Sequence, residues 1–171
     1  MKKLTILLLL IPILSFGQTY KDIMSINSVD MYKKVSIENG YTFVKEREDG
    51  WIWYGYDVTK DSINVSSYNS GGHKATRWAY YNKKDNTFSF IFSMEFSILS
   101  NITFNSIIEE IKENCKYYGI IPYKYESGDW TDDDYVCYSC SESTYLGKIG
   151  FVVKEDENTQ LEVGIIRHFP D

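Results

Sequence analysis

The side chains best placed to do chemistry are three cysteines, two histidines and a short run of aspartates. Cys137 and Cys140 form a Cys-x-x-Cys pair, and Cys115 lies upstream. A redox pair of that spacing needs a helix N-terminus, where a thiolate is stabilised. Here Tyr135, Val136 and Tyr138 surround it with strand-forming residues, and an odd step along a strand sends the two sulfurs to opposite faces. The favoured expectation is three unbridged, mostly buried cysteines. The alternative is a structural disulfide from Cys115 to Cys137 or Cys140, and an odd count then leaves one thiol over. His73, in Gly71-Gly-His-Lys74, and His168, near the end of the chain, lack the local context of a catalytic triad or a zinc site. The aspartates Asp129, Asp132, Asp133 and Asp134 lack the spaced pattern of a calcium loop and read as a solvated loop. No metal site, cofactor or catalytic residue is expected from these patterns.

Aromatic side chains carry the stronger signal. The chain has 15 Tyr, 9 Phe and 4 Trp. In Trp51-Ile-Trp-Tyr-Gly-Tyr56 the two tryptophans share one strand face, and Ile52, Tyr54 and Tyr56 share the other. Trp78 and Tyr80 alternate with Ala79 and Tyr81 in the same way. One face of each strand should pack on a helix. The other is either covered by a second layer, the favoured outcome, or shows Trp51, Trp53, Trp78 and Tyr80 as a binding surface, since interfaces and sugar sites use exposed Trp and Tyr.

Positioning these residues requires strands and two helices. A helix should open at Asn27-Ser-Val-Asp30 and stop at Asn39-Gly40. Strands follow at 41–46, 51–58, 62–67, 75–82 and 87–94, with turn signals at Glu48-Asp-Gly50 and Lys83-Lys-Asp-Asn86. The pattern then starts again. Ser106 and Glu109 fit a capping box for a helix over Ile107–Tyr118, with Gly119 as its stop. Strands are expected at 122–125, 135–140, 147–154 and 161–168. Residues 18–26 read as a leader without period. The class is α+β: antiparallel sheet with helices packed on one face of a single domain, in which 27–100 and 103–171 are either repeat units or a chance match of helix-then-strand blocks.

Residues 1–17 read differently. Lys2 and Lys3 precede the apolar run Leu4–Leu14, and small residues stand at Ser15 and Gly17. This is the pattern of a secretory signal peptide cut after Gly17, leaving 18–171 as a single exported domain. The apolar run is too short for a membrane span of about 20 residues. The basic start, leucine block and Phe16-Gly-Gln18 ending resemble signal peptides of Bacteroidota-type Gram-negative bacteria. No cysteine stands at the cut, so no lipid anchor is expected, and the protein should be periplasmic or extracellular.

The formal net charge is −6, and loss of Lys2 and Lys3 would make the chain more acidic still. Such a chain suits a basic partner and gives neither nucleic acid nor an anionic membrane its basic footprint. The resulting expectation is a non-catalytic protein-binding module, inhibitor- or immunity-like, with an unidentified protein partner. In outline the duplicated layout is similar to secreted β-lactamase inhibitor proteins, with no motif in common. The alternatives are a cell-envelope glycan or ligand binder and a small hydrolase with a carboxylate site spread through the sequence.

Overall fold

The stretch expected to be an aperiodic leader holds a short helix, α1 (Tyr20–Met24). Thr19 and Asp22 cap it reciprocally, each side chain bonding the other residue's backbone N–H. The computed structural model describes residues 18–60, 73–95, 97–124, 133–141, 147–155 and 160–171. The strand expected at 62–67 lies outside them.

Helix α2 (Val29–Glu38) begins where Ser28 accepts a hydrogen bond from the Met31 amide at 3.3 Å. It ends at Asn39, and Gly40 turns the chain with φ +81°, a conformation that glycine adopts without a Cβ penalty. Strands β1 (Tyr41–Glu46) and β2 (Trp51–Tyr56) follow as an antiparallel hairpin. A two-stranded excursion, β3 (Thr59–Lys60) with β4 (His73–Lys74), separates them from β5 (Arg77–Asn82) and β6 (Thr87–Ser93). The β5–β6 turn satisfies its own polar groups. Asn82 Oδ1 accepts from the Lys84 amide, Asp85 Oδ1 accepts from the Thr87 amide, and the Tyr81 hydroxyl donates to Asn86 Oδ1 at 2.9 Å.

The second half repeats that order: α3 (Ile98–Asn114), β7 (Lys116–Tyr123), β8 (Asp133–Ser139), β9 (Lys148–Glu155) and β10 (Glu162–Phe169). The helix differs from the expected Ile107–Tyr118. Ser97 caps it, accepting from the Ser100 amide at 3.2 Å, so Ser106 is interior and caps nothing. Residues 98–106 include polar and β-branched residues of modest helix propensity, and packing overrides it. Phe104 lies against the backbone of β10, where a Cβ on Gly164 would stand 2.7 Å from its ring. At the other end Cys115 takes an extended conformation, and residues 116–123 become strand. Gly119, expected to stop the helix, sits at a bulge in β7 with φ +150°.

The main sheet has the order β1-β2-β5-β6-β10-β9-β8-β7, and every neighbouring pair is antiparallel. Two four-stranded meanders therefore meet through their last strands, β6 and β10, while the first strand of each half forms an outer edge. All three helices contribute to the core on one sheet face, with Tyr32, Ile52, Tyr81, Phe88, Phe90, Phe92, Ile107, Ile111 and Ile166 at its centre. The opposite face carries a smaller cluster built on Tyr135, Cys137, Val163, Ile165 and Phe169, with no helix residue in it. The α+β class with helices on one face holds.

Candidate functional site

The cysteines settle into two environments. Cys115, at the end of α3, is bonded to Cys140, just beyond β8, with Cα atoms 4.4 Å apart. The favoured expectation of three unbridged cysteines is thereby corrected: extending the chain at Cys115 lays β7 along β8 and brings the two residues together at the strand ends. Cys137 stays free and buried on the opposite face, as the odd strand step requires. Burial pushes its thiol up to about 11, although a hydrogen bond with the Ile121 backbone and the charge of Lys148 pull the other way. Such a thiol stays protonated at neutral pH and is a poor nucleophile.

His168 is buried and stacked on Phe88 with ring centroids 5.1 Å apart, whereas His73 is half-buried in the β3–β4 excursion. Asp129 and Asp132 lie outside the described residues. Asp133 is buried, and its Oδ2 accepts from Lys154 Nζ at 2.6 Å. Asp134 is exposed on the neighbouring strand position. Among the described residues, no group of three or more His, Cys, Asp or Glu side chains is arranged to hold a metal ion.

The aromatic residues singled out by alternation come together on the sheet face away from the helices. Trp53 packs edge-on against Tyr80 at 4.7 Å and against Trp78 at 6.2 Å, and Trp78 stacks on Tyr80. Trp78 and Tyr80 are buried, so they form core and offer no surface; burial also raises the Tyr80 hydroxyl. Trp51 and Trp53 are half-buried. Lys45 Nζ covers the Trp53 ring at 4.1 Å. Partial burial and the nearby Arg47 depress that ammonium, with Asp49 opposing them. A ring held on one side by Tyr80 and on another by a lysine has little face left for stacking on a ligand.

Exposed aromatic side chains lie instead on the two edge strands, Phe43 on β1 and Tyr117 and Tyr118 on β7. Tyr117, Tyr118 and Ile120 are 56%, 58% and 60% exposed on β7. The bulge between Tyr117 and Gly119 interrupts the regular ladder. Tyr117 packs edge-on against Tyr138 at 5.7 Å, and Lys148 Nζ lies 4.6 Å from the Tyr118 ring. Both tyrosines are thus steadied by neighbours while more than half of each remains open. The Cys115–Cys140 bond fixes the chain at the residue just before the strand begins. Sequence reasoning missed this surface because Tyr117 and Tyr118 continue a helical run. The available signal was Tyr-Tyr-Gly-Ile-Ile-Pro, in which glycine and proline disfavour helix and the aromatics favour strand.

Fold and surface together define an α+β protein with an eight-stranded antiparallel sheet, helices on one face and an aromatic outer strand. No family model, curated protein or solved structure matches the chain. Among the described residues no helix is long and apolar enough to cross a membrane.

Proposed function

We propose that the chain is an exported, non-catalytic protein-binding module, inhibitor- or immunity-like, that meets its partner through the β7 edge. Residues 1–17 act as the export signal, and residues 18–171 as the working protein. The observation that carries the reading is the exposed edge of β7, with Tyr117 on the helix side of the sheet and Tyr118 on the other, on a strand preceded by a disulfide. Tyrosines supply large contact areas at low conformational cost, and holding them in place before binding lowers that cost further. The bulge and Pro122 disfavour simple strand addition at this edge, so side chains rather than backbone would make the contact. The acidic balance, −6 for the full chain and more negative without Lys2 and Lys3, favours a basic partner. The glycan-binding alternative would use Trp51 and Trp53, and Lys45 already covers the Trp53 ring.

The test uses the exported chain as bait against envelope extracts, with the double variant Tyr117→Ala, Tyr118→Ala beside it. Loss of two aromatic anchors should lower capture of the partner by about tenfold or more, since hot-spot truncations cost roughly 2 kcal/mol each. The melting temperature should stay nearly constant, because both rings are largely exposed. Undiminished capture by the double variant sinks the β7 reading. Glycan binding abolished by Trp53→Ala would move the assignment to the alternative.

A further inference from the structure

We propose that Arg77 is the cation of a buried site for one small monovalent anion, chloride in the simplest case, which Tyr41 and Gln18 complete. Arg77 opens β5 on the helix side of the sheet, between Tyr56 of β2 and Phe92 of β6 in register. It is 5% exposed. A guanidinium keeps its charge even there, because its proton is held too tightly to be lost in a folded protein. Buried charges are normally paired, since burial strips their hydration and a counter-charge must make up for it. Among the described residues no carboxylate forms an ion pair with Arg77, and its buried Nε has no hydrogen-bond partner. Glu110, which reaches the start of α1, accepts from the Tyr20 amide instead. The guanidinium rests on the Tyr56 ring at 3.9 Å and hydrogen-bonds the Tyr41 hydroxyl. A ring face and a phenol oxygen soften the charge and carry no negative charge of their own.

The neighbouring groups point the same way. The Tyr41 oxygen accepts from Arg77, so its proton goes to Gln18 Oε1, 3.0 Å away. That hydrogen bond orients the amide: Oε1 faces Tyr41, and Nε2 is buried without a hydrogen-bond partner among the described residues. Two orphaned donors, Arg77 Nε and Gln18 Nε2, thus belong to residues that share one hydroxyl. Unmet donors beside a full positive charge select an anion. One guanidinium balances one negative charge, so a phosphate or sulfate dianion would bring a second charge with nothing to neutralise it. Arg77, Gln18 and Tyr41 are all buried, which restricts the occupant to an ion of very few atoms. Chloride meets both limits.

The deciding experiment uses sodium chloride as the probe and the protein as recovered from expression of the full chain. The NMR line of chloride broadens when the ion exchanges on and off a protein. The melting temperature is followed alongside as chloride replaces gluconate at constant ionic strength, gluconate being too bulky for a buried site. The wild type should broaden the chloride line and melt higher in chloride than in gluconate. Arg77→Met, which removes the charge and keeps an unbranched side chain, should do neither while staying folded by circular dichroism. Tyr41→Phe keeps the ring and loses the hydroxyl that positions Arg77 and Gln18, and should weaken chloride binding by about tenfold. A hydroxyl with a merely structural role would instead lower the melting temperature equally in both salts and leave the chloride titration unmoved. A wild type that neither broadens the line nor prefers chloride over gluconate overturns the site. So does a folded Arg77→Met that binds chloride as the wild type does. Where Arg77→Met fails to fold, an unchanged titration in Tyr41→Phe overturns it alone.

Discussion

Cys137 and Cys140 are three residues apart in sequence and sit on opposite faces of the sheet, one as a free thiol and the other in a disulfide. Denaturation without reductant should therefore expose one reactive thiol, counted by a chromogenic disulfide reagent. Three would exclude the bond. In the folded protein, burial raises the Cys137 thiol from its ordinary 9.0 to about 11. A group whose folded value is raised binds its proton more tightly when folded, so its stabilising contribution is full below pH about 9 and fades as pH climbs through about 11. Native-state alkylation of Cys137 should accelerate towards pH about 11 instead of levelling off near 9. The Asp133–Lys154 pair provides a second residue-scale prediction. Both side chains are largely removed from water, at 6% and 13% exposure, and their charged atoms lie 2.6 Å apart. Lys154→Met removes a charged partner 2.6 Å from the buried Asp133 carboxylate, and breaking a buried pair in this way typically costs about 3–5 kcal/mol. Urea unfolding measures that loss, and a change below 1 kcal/mol would show that the pair is not desolvated as its exposure indicates.

Elements were legible where local chemistry and tertiary packing agree. Ser28 and Gly40 bracket α2, and the Lys83–Asn86 turn joins β5 to β6, because side-chain caps and turn residues act over a few positions. Helix α3 and strand β7 were misread for the converse reason. The Ser106–Glu109 pattern is a valid capping signal, but Phe104 has a place against Gly164 that only an earlier helix start can fill. Tyr117 and Tyr118 fit a helical continuation until Cys115 is bonded to Cys140, a constraint that no local window contains. The β7 surface was hidden with the strand that bears it, whereas the Trp53–Trp78–Tyr80 cluster was visible from alternation and its burial was not. Seating α3 supplies the element-scale prediction. A Cβ on Gly164 would stand 2.7–2.9 Å from three ring carbons of Phe104, too close for any real contact. Gly164→Ala should therefore lift α3 from β10 and cost about 1–3 kcal/mol by overpacking. Adding Phe104→Leu to it should recover part of that loss, read as a higher urea midpoint than Gly164→Ala alone. A double variant no better than the single one would mean that Phe104 does not set the helix position.

The whole molecule is two helix-and-meander halves that share one core, and its disulfide lies wholly in the second half. Along β6 and β10 the pairing runs from Val163 opposite Ser93 to Arg167 opposite Ser89. Phe92 packs on Phe104 at 5.6 Å, Phe88 stacks on His168, and the Tyr20 amide donates to Glu110 Oε2 at 2.9 Å. Separating the halves would expose Phe88, Phe90 and Phe92 together with Ile166, all buried in the common core. Folding should therefore be all-or-none. Reducing Cys115–Cys140 frees a loop with a sequence separation of 25, worth about 3.5 kcal/mol in chain entropy. For a chain of this size that corresponds to a melting temperature lower by roughly 10 °C. Three of the four tryptophans, Trp51, Trp53 and Trp78, belong to β2 and β5 in the first half, so fluorescence reports chiefly on the part without the disulfide. If the core is shared, reductant must lower the fluorescence midpoint by as much as the far-ultraviolet circular dichroism midpoint, because neither half can melt alone. Two transitions, with the fluorescence one unmoved by reductant, would instead show units that fold independently and merely abut along β6 and β10.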